Sequence, residues 1–327
     1  MSAAAIRAFK AMDLIPLSFF DTFLSHIERK NLMTAYQNFL WKLSKNLENH
    51  YHGAYGTVIV RVAENSDATR RAIMVITPDD GFYPVFLMEE AYRQYREGET
   101  LAEIFRGLLR RFENRREGDG IARTFFQDPQ NVKDRIFYEL VGYEANREIL
   151  SKTPHIRFLD LALACYTTLL QRPGGRLMIP VTATLCHGWG FCEEELFALA
   201  EENTPAVLPA SVTDIRRILE EAAGVSYKDE GDAYMYLLTN QSRQYGAVCL
   251  LYPGVLREFA EKLGRNLYIF PSSVHETLLV PERRELETDG LQRMVCEINR
   301  TQVMPEEVLA DSVYYYDREN DKILKKY

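Results

Sequence analysis

Tryptophan occurs twice and cysteine five times in 327 residues. Cys165, Cys186, Cys192, Cys249 and Cys296 are an odd and sparse set, which excludes a disulfide scaffold and points to a reducing compartment. Cys165 and Cys249 sit in apolar runs, where a free thiol acts as a small hydrophobe. Positive charge is also short. Lys and Arg number 39 against 47 Asp and Glu, a net charge of -8, so the overall field repels nucleic acid and anionic membranes, and neither is expected as a partner. No run of about 18 apolar residues occurs, and Arg7, Lys10 and Asp13 interrupt the first twenty residues. Neither a membrane span nor a secretory leader is expected, and the cytoplasm is the expected compartment. Phosphate-loop, dinucleotide and nucleophile-elbow motifs are all missing, so no cofactor is expected.

What is present is ordinary for a globular protein, with 46% hydrophobic and 26% charged residues. The length suits two packed lobes. Residues 1–50 read as a helical segment: 21–48 lacks Pro and Gly, and Phe23, Leu24 and Ile27 recur at helical spacing. The runs Thr57–Val62, Arg71–Ile76 and Tyr83–Leu87 read as strands. Pro84 places the third at a sheet edge or at a strand start. Thr100 and Glu103 form a capping box before an amphipathic helix. Its outer face and tail carry Arg106, Arg110, Arg111, Arg115 and Arg116, read as a solvated face.

Strands are expected at Ile136–Val141, Asp160–Leu169 and Leu177–Val181, and helices at Glu193–Glu202 and Thr213–Ala223. In the last third, Ala233–Leu238, Gly246–Tyr252, Leu267–Phe270 and Thr277–Val280 read as strands. Helices follow around Leu256–Leu263 and Leu291–Ile298, and Val313–Tyr316 with Lys322–Lys325 read as a closing hairpin. The expected class is therefore α+β, with mixed or antiparallel sheets, helices packed on one face, two lobes and a helical N-terminus. The lobes are expected at 51–170 and 171–327, with a β-β-α-β-β-α core at 232–300.

Two clusters resemble metal sites and fail on spacing. Cys186, His187 and Cys192 lack a second ligand pair at zinc spacing, and the string beginning His275-Glu276 has Leu279 where a zincin helix needs histidine. No metal is expected. The segment Phe270-Pro-Ser-Ser-Val-His-Glu276 concentrates two hydroxyls, an imidazole and a carboxylate in a turn between apolar strands, where rigid scaffolds tend to carry sites. Ser273, His275 and Glu276 are the candidate catalytic residues, and Asn240 and Ser272 the candidate ligand-binding residues. Ser273 and His275 do not form a direct nucleophile–base pair, because residues two apart on extended chain lie roughly 6–7 Å apart. A purely structural role has Ser272 and Ser273 capping the turn, His275 satisfying a backbone carbonyl and Glu276 facing water.

Tyr236-Leu-Leu-Thr-Asn240, Gly246-Ala247, Leu263-Gly264 and Leu267-Tyr-Ile-Phe-Pro-Ser-Ser-Val-His-Glu276 up to Val280-Pro281 together resemble the DUF5688 family. So do Pro154-His155 with Asp160-Leu161, Ile179-Pro-Val-Thr182 with Trp189, and Asn299 with Thr301-Gln302. The likeness runs from about Asn31 to the C-terminus. It implies an uncharacterised cytosolic protein of Firmicutes and supplies no activity. The first thirty residues look like an addition, and Cys186 and Cys192 fall outside the family's pattern.

Two functions fit. The leading one is a non-enzymatic binding or interaction module with a protein or small-molecule partner. The alternative is a hydrolase with Ser273, His275 and Glu276 in its site, completed by Asn240 or another polar group. An apolar stripe of Phe19, Phe20, Phe23 and Leu24 is expected to dock on the protein's own core, with a partner surface as the weaker option.

Overall fold

The computed structural model describes residues 36, 39–40, 42–52, 56–65, 68–76, 82–114, 120–122, 128–171, 175–218, 235–283, 292, 295–296, 299 and 307–326. Helix α1 is described at 36, 39–40 and 42–50. Strands β1 (Gly56–Asn65), β2 (Ala68–Ile76) and β3 (Phe82–Leu87) follow, then helices α2 (Glu89–Arg96) and α3 (Leu101–Glu113). Next come β4 (Gly120–Ala122), β5 (Ile136–Gly142), β6 (His155–Phe158), β7 (Leu161–Gln171) and β8 (Gly175–Pro180). These eight strands form one sheet in the order β4-β3-β2-β1-β8-β7-β5, with β6 paired to β7.

Helix α4 (Glu193–Val207) leads to the second sheet, built from β9 (Ala210–Asp214), β10 (Tyr236–Asn240), β11 (Leu267–Ser273), β12 (Glu276–Pro281), β13 (Tyr314–Asp317) and β14 (Lys322–Lys325). Its order is β14-β13-β11-β12-β10-β9, and α5 (Val255–Leu263) lies between β10 and β11 in sequence. Every described strand pair is antiparallel. The class is α+β.

Alternation along β2 explains the layering. Ile73 and Val75 point to one face and join a core made with Phe39, Leu40 and Leu43 of α1 and with Ile104, Leu108 and Phe112 of α3. Ala72 and Met74 point the other way, into a larger cluster. That cluster runs without a break from Val60 and Ile179 in the first sheet to Ile269, Leu279 and Tyr314 in the second. The two sheets share one apolar interior.

The Thr100–Glu103 capping box is formed, with both reciprocal bonds in place. α4 opens on a second box whose cap is a thiol: Cys192 Sγ accepts the Glu195 N–H at 3.4 Å, and Glu195 Oε2 accepts the Cys192 N–H at 3.0 Å. α4 is fastened to β5 by polar side chains. Asn203 donates to the carbonyls of Lys133 and Ile136. Thr204, fully buried, donates to Ala200 O and accepts the Tyr138 N–H at 3.1 Å. Thr204→Val preserves shape but orphans that amide. The expected loss is about 2 kcal/mol of unfolding free energy, read by denaturant titration with unchanged circular dichroism.

Four expectations need correction. Gly246–Tyr252 is not a strand; Gly246–Leu251 is a buried 3-10 helix, and an unbroken apolar run carries no period to tell the two apart. Thr213 and Asp214 end strand β9 rather than opening a helix, and helix is described only at 215–218. Leu237 and Tyr236 of β10 pair with Thr213 and Asp214 and supply the ladder that overrides helix propensity there. β3 is not a sheet edge, because the three-residue β4 pairs along its far side, with Gly120 opposite Pro84. Glu276 does not face water; it is buried in β12. The stripe of Phe19, Phe20, Phe23 and Leu24, and residues Arg115 and Arg116, lie outside the described residues.

Candidate functional site

Strands β11 and β12 close on a two-residue turn, Val274-His275, with Ser273 paired to Glu276. The register shifts between Phe270 and Ser273, so Pro271 and Ser272 stand against Thr277 alone. Proline has no N–H to give the ladder, and a bulge is where a strand tolerates it. Beyond the bulge, the hairpin tip meets the 3-10 helix. There the N–H groups of Gly246 and Ala247 donate to His275 O at 3.0 Å and Val274 O at 3.2 Å. On the other side Val274 N–H donates to Glu307 O at 2.8 Å, and Ser273 bridges to Val308.

Within this clasp His275 is oriented by both ring nitrogens. Nδ1 accepts the Tyr245 N–H at 3.0 Å, and Nε2 lies 3.4 Å from Glu307 Oε1. An Nδ1 that accepts holds no proton, so the neutral ring carries its hydrogen on Nε2, facing the carboxylate. The Tyr245 ring packs 4.9 Å from the imidazole. Tyr245 itself is left-handed, at φ 52°, a conformation that is uncommon for a bulky residue. Its amide points at the hairpin tip, and the left-handed backbone turns the following chain into the 3-10 helix.

Ser273 is 2% exposed, and its Oγ accepts the backbone N–H of His275 at 3.2 Å. It caps the turn. Asn240, fully buried, organises its own loop: Oδ1 accepts from Ser242 Oγ and Gln244 N–H, and Nδ2 donates to Gln244 O at 2.7 Å. Among the described residues, these contacts engage both lone pairs of Oδ1 and one of the two Nδ2 hydrogens. Thr239 Oγ1 donates to His275 O at 2.8 Å, tying β10 to the same tip. The side chain of Ser272 lies outside the described residues.

The structure thus gathers Ser273, His275 and Glu276 on one hairpin, with Asn240 at the base of the facing loop. It does so through backbone groups rather than through direct bonds between those four side chains. His275 serves a backbone amide, not the expected carbonyl. Sequence reasoning missed Tyr245 and Glu307. A bulky residue just before Gly246 was a signal for the first; nothing local marked Glu307, which follows His275 by 32 positions.

A second polar cluster joins the two sheets. Asp160, in the β6–β7 turn, accepts from Ser312 Oγ at 2.5 Å, from the Tyr314 hydroxyl and from Lys325 Nζ at 3.0 Å. Burial alone would raise its pKa, but the three hydrogen bonds and the Lys325 charge hold the carboxyl below the usual carboxylate range. Burial, and then the bond to Asp160, push the Tyr314 hydroxyl up, so it stays a neutral donor. Among the thiols, Cys249 is pushed up to about 12 by burial, and Cys186 Sγ turns inward to the Phe191 carbonyl at 3.4 Å. Neither thiol is primed as a nucleophile. Among the described residues no group of three His, Cys, Asp or Glu side chains is placed to hold a metal ion, and no helix is long and apolar enough to cross a membrane.

Geometry therefore defines a two-sheet α+β protein whose candidate site is a hairpin tip clasped by two loops. Residues 36–318 match a family model, and the chain belongs to that family, DUF5688, described as a family of unknown function. No curated protein and no solved structure matches the chain.

Proposed function

We propose that this protein is a non-enzymatic binding or interaction module of the bacterial cytoplasm, taking a protein or a small molecule as its partner. The observation that carries the reading is the employment of His275. Its Nδ1 is occupied by the Tyr245 amide, and the neighbouring Ser273 hydroxyl is buried and accepts a backbone N–H. A nucleophile needs an acceptor for its proton within about 3 Å and an open face toward substrate; Ser273 is 2% exposed, and no such acceptor bond is present among the described residues. The clasp instead rigidifies a surface made of the hairpin tip and the 240–246 loop, and a rigid loop scaffold is a common way to present a recognition surface.

One observation favours the hydrolase alternative: the His275–Glu307 approach at 3.4 Å, with the imidazole side chain 27% exposed, pairs a reachable imidazole with a carboxylate, and the ring would serve as a base once the Tyr245 amide released Nδ1. One experiment separates the two readings. The full-length protein and His275→Ala are assayed across a broad panel of ester, amide and phosphoester substrates. The expected result is no turnover that depends on His275, together with a stability loss of about 1 kcal/mol as the Tyr245 amide loses its acceptor. Turnover present in the unsubstituted protein and abolished in a folded His275→Ala variant would make the protein an enzyme.

A further inference from the structure

Two histidines of the chain meet the backbone in opposite ways. His155 turns Nδ1 to the Thr153 carbonyl at 2.9 Å. That nitrogen donates, and a charged ring donates there just as well. His275 turns Nδ1 to a donor, the Tyr245 N–H at 3.0 Å, so its bond exists only while the nitrogen keeps a lone pair. A protonated imidazole carries hydrogen on both nitrogens. Proton uptake therefore sets two N–H groups against each other where the hairpin tip holds the 240–246 loop.

The other ring nitrogen favours the same event. Nε2 lies 3.4 Å from Glu307 Oε1, and a charged ring turns that approach into an ion pair. Among the described residues, the groups around the imidazole do not oppose this. Tyr245 packs its ring 4.9 Å away from the loop side. Arg243, in the same loop, is exposed, and none of the bonds made by the imidazole involves it. On the hairpin itself, the neighbouring Glu276 is buried. β10 contributes the neutral Thr239 hydroxyl, which donates to the His275 carbonyl and not to its ring.

The loop is held in a form that needs its holders. Arg243 and Tyr245 are both left-handed, at φ 56° and 52°, a conformation that non-glycine residues keep only where their surroundings impose it. Gln244 between them is held by Asn240, whose Oδ1 accepts its N–H and whose Nδ2 donates to its carbonyl. Tyr245 is held by His275. Beyond it, Gly246 and Ala247 donate to the backbone carbonyls of His275 and Val274, which do not titrate. The part free to change with pH is thus 241–245, between fixed ends at Asn240 and Gly246.

We propose that His275 is a pH-operated latch on the 241–245 loop. Neutral, it holds the Tyr245 amide; with a proton taken from solvent, it releases that amide and pairs with Glu307. Imidazole is the side chain whose charge changes between about pH 8 and 5, which sets the range in which the latch works. The inference rests on the reading of tip and loop as a recognition surface only for its consequence, that partner binding weakens in acid.

Amide hydrogen exchange of the full-length protein tests it, stepped from pH 8 to 5 and corrected for the intrinsic pH dependence of exchange. Protection of the Tyr245 amide is expected to fall about tenfold or more over that range, while Gly246 and Ala247 keep theirs. His275→Asn places an amide oxygen near the position of Nδ1, an acceptor at every pH, and should hold the Tyr245 protection flat. Glu307→Gln removes the carboxylate that pairs with the charged ring and should move the opening to lower pH. His155→Asn is the control and should leave the profile unchanged. Tyr245 protection that stays constant from pH 8 to 5 in the unsubstituted protein overturns the latch, as does an acid loss that persists in a folded His275→Asn variant. Where His275→Asn does not fold, Glu307→Gln decides, and an unmoved midpoint overturns the proposal. Because exchange is read on the protein alone, failure to find any partner would sink the recognition reading and leave this result standing.

Discussion

Gly246→Ala is expected to lower the free energy of unfolding by about 3 kcal/mol, for reasons of space and not of backbone angle. A Cβ at Gly246 would stand 2.2 Å from Thr239 Oγ1, 2.5 Å from the Asn240 nitrogen and 2.8 Å from the His275 carbonyl oxygen. Two of those three atoms are backbone, held by β10 and by the hairpin tip, so they cannot swing aside as a long side chain would. The Thr239 hydroxyl could rotate only by giving up its bond to His275 O. Relief therefore requires the 3-10 helix to move off the tip, which breaks the Gly246 and Ala247 amide bonds together. Denaturant unfolding measures the loss. Gly188→Ala is the matched control, since a Cβ there meets nothing within 4 Å, and its expected change is within about 0.5 kcal/mol. Equal, small losses in both would mean that the hairpin tip is not clasped as described.

The same position shows which kinds of information a single sequence carries. Where a signal is local and periodic, it was legible: the Thr100–Glu103 box, the helix that it opens, and the closing hairpin of β13 and β14 all follow from spacing within a few residues. The hairpin around 270–276 was legible as a turn between strands, although the ladder continues to Ser273 and Glu276 because the bulge at Pro271-Ser272 absorbs the proline. The run after Gly246 was not legible. Val248, Cys249 and Leu250 are buried on every side, and residues enclosed all round show no face from which to read a period. Polar partners across long separations were also hidden. Ser273, His275 and Asn240 stood out by residue type, but their roles are set by the Tyr245 amide, the Gln244 carbonyl and Glu307, and the choice between a reacting hydroxyl and a capping one depends on those partners.

Asp160→Asn is expected to cost about 2–3 kcal/mol at neutral pH, and the size of that loss should depend on pH in one direction only. The carboxylate collects three donors, two from β13 and β14 and one from Ser312 just before β13, of which Ser312 and Tyr314 are buried. Asparagine keeps the shape of the side chain but sets its own N–H groups against those hydroxyls and gives up the Lys325 charge pairing. The neighbourhood has little freedom to adapt. The Asp160 carbonyl accepts the Tyr143 N–H at 3.0 Å, Leu159 beside it is already left-handed at φ 54°, and Gly142 passes so close that a Cβ would lie 2.6 Å from Leu309 O. Because the folded carboxyl titrates below its unfolded value, its contribution is complete above about pH 4 and is lost as pH falls through the lower, folded value. The unsubstituted protein and Asp160→Asn should therefore differ most near neutrality and converge in acid. Denaturant titrations stepped from pH 7 downward read this directly. A difference that stayed constant into strong acid would show that the ionised carboxylate is not what joins the β6–β7 turn to β13 and β14, and shape alone would then account for the contact.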